Sequence, residues 1–463
     1  MWNKHIDLGG EMLVSNQFFD DSEVKYALNT LLKKLGHYQA KLNKVNLPKK
    51  EETKNFAKLI NIVDTYRGPL YFPYLSSGMG NGPYVECADG SVKLDFISGI
   101  GVHWSHGDQK IIKASLTAAL HDTVMQGNLQ QHMGSVELFE MLCKYSGMDY
   151  SYLTSSGVLG VENALKICFQ YKAPAQRVLA FSHCFCGRTF AAAAITDKPQ
   201  NRVGLPTVLP VDYVPFYDPK KPKESIKIAL DQLDRYFERY PNQYACMKFE
   251  LIQGEGGFNV GSKPFFKAIM TWLNDRDIPV YVDETQTFGR TTSLFAFQLF
   301  ELEEHVDIVS IGKLSQVCAT LYKKKLKPKP GLISQTFTSS TGAIEASKVI
   351  INELIGNNYL GKYGKIAKLH GYFARKFRIL SKKTNNKIWN LRGVGSMIAF
   401  QVGNGDRQQV IEFIKQCYSN GLISFIAGNS PSFVRFLLPI GGVSFHHLDE
   451  ALEIIEKTLT QTK

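Results

Sequence analysis

Three short segments contain side chains with chemistry in them. Lys313 follows the apolar run Val306-Asp307-Ile308-Val309-Ser310-Ile311 and a glycine. A lysine at the end of a buried strand delivers its amine to a crevice rather than to the solvent face of a helix. It can form an imine there once it is deprotonated, which burial beside a cationic ligand promotes. Asp283 closes a second apolar run, Val280-Tyr281-Val282. An unpaired carboxylate is costly to bury there, so Asp283 needs a cationic partner. Gln286, three residues on, offers a neutral hydrogen-bonding amide. Ser155-Ser156-Gly157-Val158 precedes the helical pattern Leu159-Gly160-Val161-Glu162-Asn163-Ala164-Leu165-Lys166, with Ser156 as N-cap. The free amides of such a helix start form a seat for phosphate. Alone, each has a plainer reading: a surface lysine, an aspartate capping a helix, a helix start with no ligand. Together they describe the needs of pyridoxal phosphate (PLP), which has an aldehyde for the amine, a pyridinium for the carboxylate, a ring oxygen for the amide and a phosphate for the helix.

These groups converge only if the chain folds as alternating strands and helices. From about residue 110 to 350, short apolar runs alternate with longer helical patterns, which predicts an α/β fold with a mainly parallel sheet. Arg177 to Phe181, Met247 to Ile252, Ile278 to Val282 and Val306 to Ile311 read as buried strands. Each has a polar tail: Gly187-Arg188, Gln253-Gly254-Glu255, Asp283-Glu284-Thr285-Gln286 and Gly312-Lys313. Open α/β sheets bind ligands at the carboxyl ends of their strands, so these tails belong at one crevice. Before them, Glu23 to Leu35 and Glu52 to Ile60 read as amphipathic helices, and Tyr84 to Ser91 as a strand entering an Asp-Gly turn. After about residue 355 come a long helix (Tyr363 to Leu380), strands at Gly395 to Val402 and Phe433 to Leu438, and a closing helix from Leu448 to Thr458. The expected organisation is an N-terminal arm and segment (1–94), a large domain (95–355) and a smaller α+β C-terminal domain (356–463).

With the helix start and strand tails in view, the chain resembles the class III aminotransferases of PLP fold type I from about residue 80 onward. Gly157 to Lys166 resembles that family's phosphate-binding helix start, and Phe185-Cys186-Gly187-Arg188-Thr189 its F-H-G-R-[ST] segment. Glu250 to Gly257 is similar to E-P-I-Q-G-E-G-G, and Asp283 to Thr287 to D-E-V-Q-T. Gly312-Lys313-Leu314-Ser315-Gln316-Val317-Cys318 is most similar to the branch acting on the terminal amine of lysine, which reads G-K-K-T-Q-V-C. The resemblance implies that Lys313 is the Schiff-base lysine and proton carrier, that Asp283 faces the pyridine nitrogen and that Gln286 faces the ring oxygen. It implies phosphate amides at Gly157 and Val158, a stacking ring at Phe185, and Thr336 reaching the phosphate of a neighbouring subunit. Arg188 and Arg435 would grip substrate carboxylates, and Glu255 would cover Arg435 while a terminal amine reacts and withdraw for 2-oxoglutarate. Implied too is a homodimer with shared sites, passing an amino group from lysine, or from ornithine, an acylated ornithine or 4-aminobutyrate, to 2-oxoglutarate.

Three segments depart from the family pattern. Thr287-Phe288-Gly289-Arg290 is one residue shorter than usual; Cys186 stands where a histidine is usual; and Phe337-Thr338-Ser339-Ser340 replaces T-[FW]-G-G-N after Thr336.

Composition narrows the rivals. Apolar residues are 44% and charged residues 21%, ordinary for a globular protein. The N-terminus lacks the pattern of a secretory signal and no run approaches ~20 apolar residues, so a cytoplasmic location and no membrane span are expected. The 8 cysteines contain no C-x-x-C pair, and His183-Cys184-Phe185-Cys186 has no second ligand pair at zinc spacing, so no metal is expected. The net charge of +12 gathers in groups such as Lys323 to Lys329, without the aromatic interleaving of a nucleic-acid surface. A solvated basic loop is the expectation, with no nucleic-acid partner. Racemisation or amino-group migration on the same scaffold, and a catalytically degenerate binding protein, are the remaining alternatives.

Overall fold

The computed structural model describes residues 13–122 and 125–461. Its centre is a seven-stranded sheet in the order Tyr150–Thr154, Cys318–Tyr322, Ile308–Ile311, Val280–Asp283, Tyr244–Phe249, Arg177–Phe181, Val211–Val214. Cys318–Tyr322 is antiparallel to both neighbours, and the remaining strands share one direction. The α/β fold with a mainly parallel sheet is therefore present, with one reversed strand inserted by a tight return after Lys313. Strands buried on both faces need continuous apolar runs. Tyr244–Phe249 and Ile308–Ile311 are buried at every position.

The strand expected over Met247 to Ile252 lies at Tyr244–Phe249 instead. It stops at Phe249 because the Glu250 carboxylate turns to accept the N–H groups of Phe185 (2.7 Å) and Gly254 (3.3 Å). Ile252–Gln253 then pairs with Asn259–Val260 rather than continuing the sheet. The helix Gly157–Tyr171 packs across Ile308–Ile311, Cys318–Tyr322 and Tyr244–Phe249. Its apolar face, including Val161, Ala164, Leu165 and Ile167, is buried. That packing fixes where the helix start meets the strand ends.

A second, antiparallel sheet is built from Ile388–Val394, Met397–Val402, Ser432–Leu437 and Phe425–Gly428, in that order. The helices Lys365–Lys383 and Phe445–Gln461 pack together beside it. At the N-terminal side, Tyr84–Cys87 and Val92–Asp95 form a hairpin. It closes at Asp89-Gly90, where Gly90 takes a left-handed φ of 72° and Asp89 Oδ1 accepts the Ser91 N–H at 3.0 Å. This hairpin gains Leu422–Ile423 as a parallel neighbour, tying the N-terminal segment to the C-terminal part. The helices Ser22–Gln39 and Lys50–Tyr66 contain the two amphipathic stretches read from the sequence. In the basic segment, Lys325 pairs with Asp307 at 2.7 Å and Leu326 is buried, while Lys324, Lys327 and Lys329 are exposed. No helix among the described residues is long and apolar enough to cross a membrane. All eight cysteines are free, and among the described residues no group of three His, Cys, Asp or Glu is placed to hold a metal.

Candidate active site

The carboxyl ends of the parallel strands open into a cavity of about 470 Å³ lined by Gly157, Val158, Phe185, Arg188, Glu255, Asp283, Gln286 and Lys313 among others. Segments more than 150 residues apart thus meet at the end of the sheet, where strand polarity directs them.

Lys313 follows Ile308–Ile311 and has a left-handed φ of 56°. For a residue with a Cβ this conformation costs energy, and such strain gathers at functional sites. Burial is the main reason its amine drops to a pKa of about 8; Arg435 and Arg290 depress it further, while Glu255 and Asp283 oppose them. An amine brought this far down is available as a nucleophile near neutral pH.

Asp283 ends its strand with both carboxylate oxygens engaged. Oδ1 accepts the Thr285 N–H at 3.0 Å and the Ser310 hydroxyl at 3.1 Å. Oδ2 lies 3.1 Å from Lys248 Nζ. Burial pushes this carboxyl up, but the Lys248 ammonium and Thr285 outweigh it and hold it below the usual range. The cationic partner that the sequence demanded is thus present within the chain itself. Lys248 was not foreseen, although a lysine inside the apolar strand Tyr244–Phe249 is a visible signal.

Ser156 caps its helix, accepting the Leu159 N–H at 3.4 Å, and leaves Gly157 and Val158 at the cavity wall. Phe185 borders the cavity with its peptide clamped: its N–H donates to Glu250 and its carbonyl accepts from Lys248 at 2.5 Å. Arg188 is exposed at the cavity edge, its guanidinium 5.9 Å from the Phe185 ring centre. Arg435, on Ser432–Leu437, is fully buried and reaches Glu255, Nη2 to Oε1 at 2.5 Å. Glu255 also meets Lys198 at 3.2 Å. Burial raises the Glu255 carboxyl, but Arg435 and Lys198 overcome this and bring it down to about 2. Thr336 is exposed and lies outside the lining.

The altered segments have definite places. Cys186 is buried, its N–H donating to Thr196 Oγ1 at 3.0 Å. The shortened turn delivers a fully buried Arg290, which donates to the carbonyls of Leu438 (3.0 Å) and Gly101 (2.5 Å). Ser339–Ser340 pairs with Met125–Gln126, and Ser340 caps the helix Thr341–Gly356.

The site suits a flat ring carrying a phosphate. Gln286 Oε1 is buried at the cavity with no hydrogen-bond partner among the described residues, an acceptor suited to a polar group of the ring. Two wall glycines leave little or no room for a Cβ. One on Gly187, whose φ is 147°, would lie 2.5 Å from Val158 Cγ2, and one on Gly157 would lie 3.1 Å from Thr285 Cγ2. The donor set also includes a depressed lysine, a carboxylate kept ionised and a capped helix start. PLP requires these three together.

Residues 72–459 match the family model described as Aminotransferase class-III. The chain belongs to the class III aminotransferases and is a PLP-dependent transaminase of fold type I. It is 28% identical to the acetylornithine aminotransferase of Methanocaldococcus jannaschii over 402 residues, covering 83% of this chain and 93% of that protein. It is also 28% identical to the 2-aminoadipate transaminase of Pseudomonas putida, covering 82% and 95%. In fold it is similar to the lysine aminotransferase of M. tuberculosis, with a TM-score of 0.76, 22% identity and coverage of 88% and 99%.

Proposed function

We propose that this enzyme moves a terminal amino group from an amino acid, L-lysine first, to 2-oxoglutarate, giving glutamate and a semialdehyde, as a lysine 6-aminotransferase does. The carrying observation is the contact of Arg435 with Glu255 at 2.5 Å. A donor reacting through its terminal amine brings no carboxylate next to the reacting carbon, so an arginine left bare there would be a buried, unpaired charge. Glu255 supplies the missing partner. 2-Oxoglutarate does carry a carboxylate beside its keto carbon, and it takes Arg435 through a bidentate contact once Glu255 withdraws. In both halves of the cycle the distant carboxylate goes to Arg188 at the cavity edge.

In this reading Lys313 is the covalent attachment point and carries a proton between the donor carbon and the cofactor. Asp283 faces the ring nitrogen, Gln286 the ring oxygen, and Phe185 covers one face. The amides of Gly157 and Val158 receive the phosphate, with Ser156 fixing the helix start. When bound, PLP supplies the carbonyl that takes up the amine and a ring that withdraws the electron pair. The exposed Thr336 is assigned to the phosphate of a second copy, which makes the active unit a homodimer; the proposed location is the cytoplasm. The division at 94/95 and 355/356 is kept, the latter supported by the end of the helix Thr341–Gly356.

Purified enzyme loaded with PLP is to be offered 2-oxoglutarate with lysine, ornithine, N-acetylornithine or 4-aminobutyrate while glutamate is measured. Glutamate formed fastest with lysine supports the proposal. A preference for N-acetylornithine, the substrate named in the curated relative from M. jannaschii, would replace lysine as donor. Release of no glutamate from any of them would end it.

A further inference from the structure

Lys248 is a buried charge beside the site that the transamination reading leaves idle. It lies on the strand Tyr244–Phe249, opposite Tyr281 on one side and Ala180 on the other, and is fully buried. Its ammonium touches three groups: the Phe185 carbonyl at 2.5 Å, Asp283 Oδ2 at 3.1 Å and Glu250 Oε2 at 3.4 Å. Glu250 completes the loop by accepting the Phe185 N–H at 2.7 Å. Both polar groups of the peptide at Phe185 are therefore held by one buried ion cluster whose other end is Asp283. A lysine among apolar neighbours is retained at such a place only when its partners are well arranged.

We propose that Lys248 is a positioning residue for the cofactor: its ammonium ties the backbone of Phe185 to the carboxylate of Asp283 and keeps that carboxylate charged, so that the neighbours of the ring are set before the ring arrives. This rests on the assignment of Asp283 to the ring nitrogen and Phe185 to the ring face.

The cluster formally holds one cation and two anions, so it carries the single negative charge that a pyridinium neutralises. The groups acting on or feeling Asp283 are few. Lys248 and Glu250 come from the strand Tyr244–Phe249 and its end, and Cys186 from the loop after Arg177–Phe181. Tyr281 and Glu284 belong to its own strand and tail, and Lys313 comes from beyond Ile308–Ile311. Of the cations, Lys248 dominates the balance at Asp283; without it, burial prevails and the carboxyl takes up a proton at higher pH.

The test uses Lys248→Met combined with Glu250→Gln, which removes one charge of each sign, with Glu250→Gln alone as control. Binding of PLP to each apoenzyme is followed by equilibrium dialysis from neutral to acid pH, alongside thermal melts. The expected result is a double variant that melts cooperatively and binds PLP at neutral pH but loses it at an acid midpoint higher than wild type and control by roughly one pH unit or more. A coincident midpoint in the folded double variant overturns the proposal. If that variant does not fold, Lys248→Gln, which retains a donor for Phe185 and Asp283 without the charge, is judged by the same midpoint. Wild-type protein that fails to bind PLP at all would instead overturn the assignment of Asp283.

Discussion

The depressed amine of Lys313 makes a prediction that needs no cofactor. Ordinary lysine titrates at 10.5, and in this site the amine lies at about 8. At neutral pH that difference enlarges the uncharged, reactive fraction by about 300-fold, since each pH unit is a factor of ten. Glu255 is one of the two carboxylates that resist the drop, and Arg435 is the strongest charge that favours it. Glu255→Gln removes a stabilising anion, so the midpoint of Lys313 should move further down, while Arg435→Met should move it up. The assay is trace acetylation of the apoenzyme at a series of pH values, with the Lys313 peptide quantified by mass spectrometry. Wild-type labelling should level off above about 8, whereas exposed lysines continue to climb. A Lys313 curve that climbs alongside theirs, or a Glu255→Gln curve displaced upward, would refute the electrostatic account.

Three further outcomes follow from the same geometry. The Glu255 carboxyl is lowered from 4.5 to about 2 in the folded chain, so its stabilisation is fully present above 4.5 and is lost as the pH falls toward 2; at ~1.4 kcal/mol per tenfold it amounts to roughly 3 kcal/mol, and urea unfolding against pH should show this acid slope reduced in Glu255→Gln. Glu284 shows the reverse sign: burial raises its carboxyl from 4.5 to about 7 despite the support of Thr287, so the folded state loses stability as pH rises between those values, and Glu284→Gln should flatten that loss in the same experiment. Gly187→Ala would place a methyl 2.5 Å from Val158 Cγ2 at a φ of 147°; an overpacking cost of about 1–3 kcal/mol should weaken PLP binding at least fivefold in a dialysis titration.

Much of this protein was readable from residue order alone, because local patterns carry it. Apolar runs ending in polar tails announced the strands at Arg177–Phe181, Val280–Asp283 and Ile308–Ile311, and strand polarity then required their tails to share one crevice. The capped helix at Ser156 was equally local. Other features were illegible for physical reasons. Ile388–Val394 was missed because its pattern is broken at a register shift between Trp389 and Arg392, where Asn390 has a left-handed φ. Cys318–Tyr322 gave no warning that it would reverse the sheet direction.

Charge pairing across the fold was the part that residue order could not supply. The sequence required that Asp283 have a cation and named a ligand for it; tertiary structure brought Lys248 from a neighbouring strand to its Oδ2. It likewise set Arg435 of the second sheet against one oxygen of Glu255, and Lys198 against the other. A residue's own neighbours decide its helix or strand and the tail it displays, since those forces act over a few residues. Which charges meet in a dry interior is decided by strand order and layer packing, which operate between segments far apart in the sequence.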